Sequence, residues 1–381
     1  MIQLVPLQGI KILDSAHQYP GPYCSMLLGD LGADVIKVEQ PKIGDPARRN
    51  PGFFRGLNRS KKSITLDLKK PSAKAILIRL AKKADVFTEG FRPGVIKRLG
   101  LDYETLSRIN PRLIYCSISG YGQDGPYRDL PGHDLNYMAM AGMLDSIRDK
   151  DGNHIPPGIA IGDLSSGMFA TIGIMAALMA RGHTGKGQYV DVSMFDGLLS
   201  WMSIRFGLFF NTGSSERPYD AGYGVFKAGD GKPFTLGIAH EDWFWERLCK
   251  ATGLDEYQEI RVSERHQRKK ELADKLQLVF SKKSRDEWIK ILVEADVPVA
   301  PVNTPEQALE DPQVIFRQMI QEIKLSSGES LRQVAFPIML SETPAKIQSP
   351  PPELGEHTEE VLLREGYTRQ DLERFRDEGA I

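Results

Sequence analysis

Short apolar runs alternate with helix-like stretches along the first half of the chain. Residues 9–14 (GIKILD) are followed by the Pro20-Gly21-Pro22 turn, a helical stretch through Leu31, and a second run at 34–39 (DVIKVE). That order reads as strand, helix, strand. The pattern recurs: 63–67 (SITLD) precedes a helix from Pro71, and 85–88 (DVFT) precedes a helix from Pro93 and the run 113–117 (LIYCS). Both prolines suit a first helical turn, where the missing N–H costs nothing. Alternation of this kind predicts an α/β fold, with a mainly parallel sheet covered by helices on both faces.

Two apolar helices follow, at about 133–144 and 164–180, and the second closes at the TGKG turn before a strand at 188–192. Past about residue 200 the pattern changes. A strand pair within 222–237, amphipathic helices at 242–252 and 264–280 and a strand at 297–300 predict a smaller α+β domain. Residues 349–352 (SPPP) read as a linker or wall segment, and the charged tail from His357 as a surface helix pair.

With 381 residues, 41% hydrophobic and 26% charged, the chain is neither disordered, collagen-like nor membrane-embedded in composition. That length predicts roughly two domains. Cys24, Cys116 and Cys249 have neither metal-ligand nor redox spacing and are too few for a disulfide framework, and the first residues lack a signal-peptide pattern. A reducing cytoplasm is therefore expected. The longest apolar stretch, 168–180, falls short of the roughly 20 residues that span a bilayer, so no membrane role is expected.

The net charge of −1 hides a division. The first 100 residues carry 18 basic and 8 acidic side chains, or +10, leaving −11 for the rest. The basic residues cluster as Lys37, Arg48, Arg49, Arg55, Arg59, Lys61, Lys62 and Arg92, several of them in loops just after predicted strands, where ligands of open α/β sheets bind, and a phosphorylated small molecule fits them. Nucleic acid fits less well, because little aromatic side chain is interleaved with the charges. A dinucleotide is also a poor fit, since the first loop, SAHQYPGPYC, has no Gly-x-Gly-x-x-Gly.

Two carboxylates stand at helix starts. In GHDLNY (132–137) a loop becomes a helix, so backbone N–H groups near His133 and Asp134 could receive an oxyanion, although Asp134 could equally be an N-cap. In GDLSSG (162–167) Asp163 stands in the same position, as cap or as catalyst. Trp201, Met202, Phe206, Phe209, Phe210 and Tyr223 are either core or a bulky apolar wall.

Together with LGDLGADVIKVEQP, NRSKKSITLDL, FRPGVIKRLGL, NPRLIYCSISGYGQDGPY, TGKGQYVDVSM and GEHTEE, these segments resemble the class III CoA-transferase (CaiB/BaiF) family, and the α-methylacyl-CoA racemase branch in particular. The resemblance implies a large Rossmann-like domain built from both chain ends (1–200 and 326–381), a small domain over 201–325, and an interlocked homodimer. It implies a CoA thioester as substrate and no prosthetic group or metal, with the acyl end meeting the partner's small domain. Lys37, Arg59, Lys61, Arg92 and Tyr137 match positions near CoA, whose phosphates Arg and Lys can pair with.

His133 and Asp163 match the racemase acid/base pair, and the N–H of Asp134 matches the group that holds the enolate. Transferases of the family instead use the Asp163 position as a nucleophile, through a mixed anhydride and an aspartyl-CoA thioester. Racemases also carry a Glu after a small-domain strand that orients the catalytic His. Here an ungapped match puts His240 at that position, and a one-residue shift puts Glu241 there.

Overall fold

The computed structural model describes residues 5–149, 151–215, 219–325 and 327–381. Two compact units form: Met1–Ser203 with Gln318–Ile381, and Ile204–Arg317.

The larger unit is built on six parallel strands: β1 (Lys11–Asp14), β2 (Asp34–Glu39), β3 (Lys61–Thr65), β4 (Val86–Glu89), β5 (Ile114–Ser119) and β6 (Tyr189–Ser193). Their order is β3-β2-β1-β4-β5-β6. The chain therefore winds outward from β1 in one direction and from β4 in the other. Loops after β1 and β4 part between them and leave a crevice at the carboxyl edge of the sheet.

Both faces of this sheet are covered, which is why its strands read as apolar runs. On one face Leu13, Ile36, Ile64, Phe87 and Tyr115 pack with Ile76, Leu77 and Leu80 of the helix Pro71–Ala81. Val361, Leu362, Leu372 and Phe375 join that cluster from the helix pair Thr358–Arg364 and Arg369–Asp377, so the charged tail closes the core with its apolar stripe. On the other face Ile12, Val35, Val86, Ile114 and Ile118 pack with Cys24 and Leu28 of the helix Pro20–Asp30 and with Ala170, Ile174 and Ala177 of the helix Ile161–Thr184.

Several boundaries differ from the sequence pattern for local reasons. Pro93 starts no helix: Gly94 follows it at φ +81°, and only the single turn Val95–Arg98 forms. The helix Ile161–Thr184 begins before Asp163 rather than after it, and at 24 residues it is long and apolar enough to cross a membrane by length and composition, with its small-residue stripe buried within the unit. In the smaller unit the expected helix 264–280 is broken at Arg268 into Val262–Gln267 and Lys269–Phe280.

That smaller unit carries three antiparallel strands, β7 (Tyr223–Lys227), β8 (Pro233–Gly237) and β9 (Val299–Pro301). Phe226, Phe234, Trp245, Phe280 and Trp288 fill its core. Arg265, fully buried there, is tied to Asp220 and Asp242 at 2.6 Å each.

Candidate active site

A cavity of ≈ 790 Å³ opens in the larger unit at the crevice between the β1 and β4 loops. His17, Gln18 and Tyr19 line it from the β1 loop, Phe91 and Arg92 from the β4 loop, and His133, Tyr137 and Asp163 from two helix starts. Its size is in the range of small-molecule sites.

The two helix starts meet through one side chain. The helix Asp134–Met140 begins after His133, whose N–H donates to Asn136 Oδ1 at 3.0 Å. The N–H of Asp134, at the first helical position, has no acceptor among the described residues and is free for an incoming oxygen. The carboxylate of Asp134 points the other way: its Oδ1 accepts from the N–H of Gly162 at 2.6 Å and of Asp163 at 3.2 Å. Asp163 is brought to the cavity wall by this link. Burial, and then the charge of Asp134, push the Asp163 carboxyl up to about 7.

Tyr137 is wall rather than free donor, since its hydroxyl donates to the Gly132 carbonyl at 2.6 Å and burial pushes it up to about 12. Its ring fits only because two neighbours lack side chains: a Cβ on Gly120 would lie 2.6 Å from it, and one on Gly132 2.7 Å.

Of the four cations expected at CoA, only Arg92 lines the cavity. Lys37, Arg59 and Lys61 are inside the protein, at 0–3% exposure, and are held by internal partners rather than lining the cavity. Lys37 Nζ sits 2.8 Å from Asp45 and donates to the Ala16 carbonyl at 3.0 Å. Lys61 Nζ donates to the Pro22 carbonyl and to Asn58 Oδ1 at 2.9 Å and lies 3.5 Å from Asp14. Arg59 forks onto Asp30, the closest contact 2.7 Å, and donates to Gln333 Oε1 at 3.1 Å.

Asp14 accepts from the N–H of Ala16 and Asp45 from that of Gln18, each at 3.0 Å. Lys37, Asp14 and Asp45 thus grip the backbone of the β1 loop while Lys61 holds the first turn of the helix after it, and Gln18 is kept at φ +62°, a conformation that non-glycine residues adopt only when their surroundings impose it. Burial works against ionised Asp14, yet Lys37 and Lys61 hold its carboxyl below the ordinary range. Burial pulls the Lys61 ammonium down to about 7 against the pull of Asp14.

Arg98 and Arg128 escaped the sequence reading although both line the cavity. Like Arg92 they are exposed and pair with no carboxylate among the described residues. The FRPG turn was the available signal, because Gly94 at positive φ starts the turn that carries Arg98. Glu89 was also missed. Buried at the end of β4, it accepts from Ser117 Oγ at 2.5 Å and from the Phe91 N–H at 2.8 Å, holding the loop that carries Arg92, and burial pushes it up to about 7.

His240 and Glu241 belong to the smaller unit, just before the helix Asp242–Thr252. Glu241 Oε2 accepts the N–H groups of His240 and Ala239 at 3.0 Å each, and these bonds hold its carboxyl below the usual range. The His240 ring is largely exposed, with Nδ1 3.9 Å from Glu241.

A six-stranded parallel sheet with a cavity at its switch point, rimmed by arginines and walled by a histidine and a carboxyl of raised proton affinity, is an α/β frame with its candidate site where ligands of open sheets bind. Residues 7–358 match the model of CoA-transferase family III, and the chain belongs to that family. It is 34% identical to human alpha-methylacyl-CoA racemase over 98% of this chain and 97% of the relative. It is 38% identical to the acetyl-CoA:oxalate CoA-transferase of Acetobacter aceti, over 83% and 85%. The crystal structure of a CAIB/BAIF family protein from Brucella suis superposes with a TM-score of 0.86 at 32% identity, over 95% of this chain and all of that one. The family places the chain among CoA-thioester enzymes, with racemases and CoA-transferases both among its relatives.

Proposed function

We propose that this protein is an acyl-CoA racemase or epimerase that inverts the α-carbon of a 2-methylacyl-CoA thioester. The observation that carries this reading is the presence of His133 and Asp163 on the wall of one cavity, with Asp163 holding its proton up to about pH 7, so that an acid stands beside a potential base. His133 takes the α-proton from one face. The thioester carbonyl becomes an enolate, whose oxygen meets the N–H of Asp134, and Asp163 returns its carboxyl proton to the other face. The enzyme is left as imidazolium and carboxylate, the pair that runs the reverse direction. Both forms carry the same number of protons, so the two directions share one bell-shaped pH profile.

Arg92, Arg98 and Arg128 are the cations we infer for the CoA phosphates, since they line the same cavity and are not neutralised by carboxylates. Glu241 rather than His240 is the third group we infer, because its carboxyl is held in the charged form. The interlocked homodimer is supported by an exposed apolar stripe, Met168, Ile172, Met175 and Met179, along the helix Ile161–Thr184, and by exposed Trp201, Phe209 and Phe210. A reducing cytoplasm fits three cysteines that are all buried and unpaired.

A second reading rests on the same carboxylate: Asp163, half-buried on the cavity wall, is equally suited to attack a thioester carbonyl, and several relatives are named CoA-transferases. Incubation with a 2-methylacyl-CoA in deuterated water, without acceptor acid, separates them. Racemisation washes deuterium into the α-position with inversion, and Asp163→Ala abolishes the inversion. No wash-in, with acid-dependent movement of CoA and a hydroxylamine-trapped adduct on Asp163, establishes transfer instead.

A further inference from the structure

We infer that the Asp134 carboxylate is a positioning residue: it caps the helix Ile161–Thr184 from outside that helix and so sets both where Asp163 stands and what it faces. The inference rests on the proposed function only for what Asp163 does afterwards.

The geometry is that of an N-cap supplied in trans. Ala160, the residue at the cap position, has no side-chain acceptor to offer. The orphan donors of the second and third helical residues, Gly162 and Asp163, both go to Asp134 Oδ1, 28 and 29 residues earlier in the chain. The approach is close, since a Cβ on Gly162 would lie 3.0 Å from that oxygen. One carboxylate therefore fixes where the Asp163 backbone stands relative to the His133 helix start. An anion is favoured there because the positive ends of two helices converge on it.

The same anion bears on Asp163 through space. The titratable groups whose charges bear on Asp163 are Asp134 and Tyr137 from the helix Asp134–Met140 and Tyr19 ahead of the helix Pro20–Asp30, while His133 lines the same cavity. Arg92, the cation of this cluster, bears on Tyr137. After burial, Asp134 is what raises Asp163. The Asp134 carboxylate is committed to backbone donors, and its presence disfavours a second negative charge at Asp163.

Only Oδ1 of Asp134 takes part in the cap, so Asp134→Asn keeps both hydrogen bonds and removes the charge. Asp134→Ala removes both. The direct readout is the pH dependence of carbodiimide labelling of Asp163 in the full-length protein, followed by peptide mass spectrometry, because this reagent takes the protonated carboxyl. Wild type should give a midpoint near pH 7. In D134N that midpoint falls by about one unit, a tenfold loss of proton affinity, and the bell-shaped turnover profile moves to lower pH with it. Asp134→Glu, which keeps the charge, restores the midpoint. D134A also shifts the midpoint and in addition loses turnover at its own optimum, because the cap is gone. An unchanged midpoint in D134N overturns the inference whatever the activity does. A shifted midpoint in an enzyme that shows no α-deuterium exchange leaves it standing and removes the racemase reading instead.

Discussion

A buried and a half-buried set of carboxylates in the larger unit differ in what stands beside them. Asp14 and Asp45, under the β1 loop, are fully buried against Lys37 and Lys61, and both are held below the ordinary carboxylate range despite burial. Asp163 has Asp134 for a neighbour instead of a cation and is pushed up to about 7. Desolvation disfavours the charged form in both places, and compensation decides the outcome. Compensated charges shape a loop and are chemically silent. Without compensation a carboxyl keeps its proton, as Glu89 and Asp163 both do, and of these two it is Asp163 that lines the cavity.

Breaking the compensated set should have the largest effect. Asp45→Ala strands the Lys37 ammonium and releases the Gln18 N–H, and a buried pair broken on one side costs about 3–5 kcal/mol. Urea unfolding measures it, and Lys37→Met in the same chain should recover part of the loss. A loss below about 1 kcal/mol would show that the cage does not carry the loop.

The uncompensated group should respond in the opposite direction. Below about pH 3.8 Asp163 is protonated folded or unfolded. From there to about pH 7 the unfolded carboxyl ionises while the folded one keeps its proton, so stability falls as the pH rises through that window. Asp163→Asn should therefore be more stable than wild type at pH 8, by about 2–4 kcal/mol at one pKa unit per 1.4 kcal/mol, and equal to it near pH 3.5. Thermal scans at the two pH values check this. Equal melting temperatures at pH 8 contradict an uncompensated charge.

The cations divide in the same way. Arg92→Gln should raise the KM for a CoA thioester about 10- to 100-fold, the loss of one charged hydrogen bond, with kcat changed less than about threefold. The reverse pattern takes Arg92 out of the phosphate site.

The division was only half legible in the sequence. Apolar runs revealed the six strands, but reading β3 as 63–67 instead of Lys61–Thr65 put Lys61 in an exposed loop when it is the first residue of a buried strand. A two-residue slip of this kind leaves the hydrophobic pattern almost intact and changes the meaning of every charge at the strand end. Arg59 was misread because its partner, Asp30, lies 29 residues away. The motif GHDLNY led to His133 and Asp134, yet the side-chain link from Asp134 to Gly162 and Asp163 crosses the fold and has no sequence pattern. Arg98 was hidden by reading Pro93 as a helix start, where Gly94 makes a turn.

The smallest effect is expected one residue from Lys61. Lys62 follows it on β3, and because successive side chains of a strand point to opposite faces, it reaches the surface. There its Nζ lies 2.6 Å from Glu360 Oε1, with the two side chains 30% and 54% exposed. The contact is shorter than the one between Lys61 and Asp14, yet water competes for both partners, and such a pair is worth about 0–1 kcal/mol. Lys62→Ala should shift urea stability by less than about 1 kcal/mol, leave the KM for a CoA thioester unchanged, and lose even that shift in about 1 M salt, where screening acts within about 3 Å. A loss of more than about 2 kcal/mol, well above that range, would mean that partner identity, and not desolvation, separates the two lysines, and the contrast between Asp14 and Asp163 would then need a different cause.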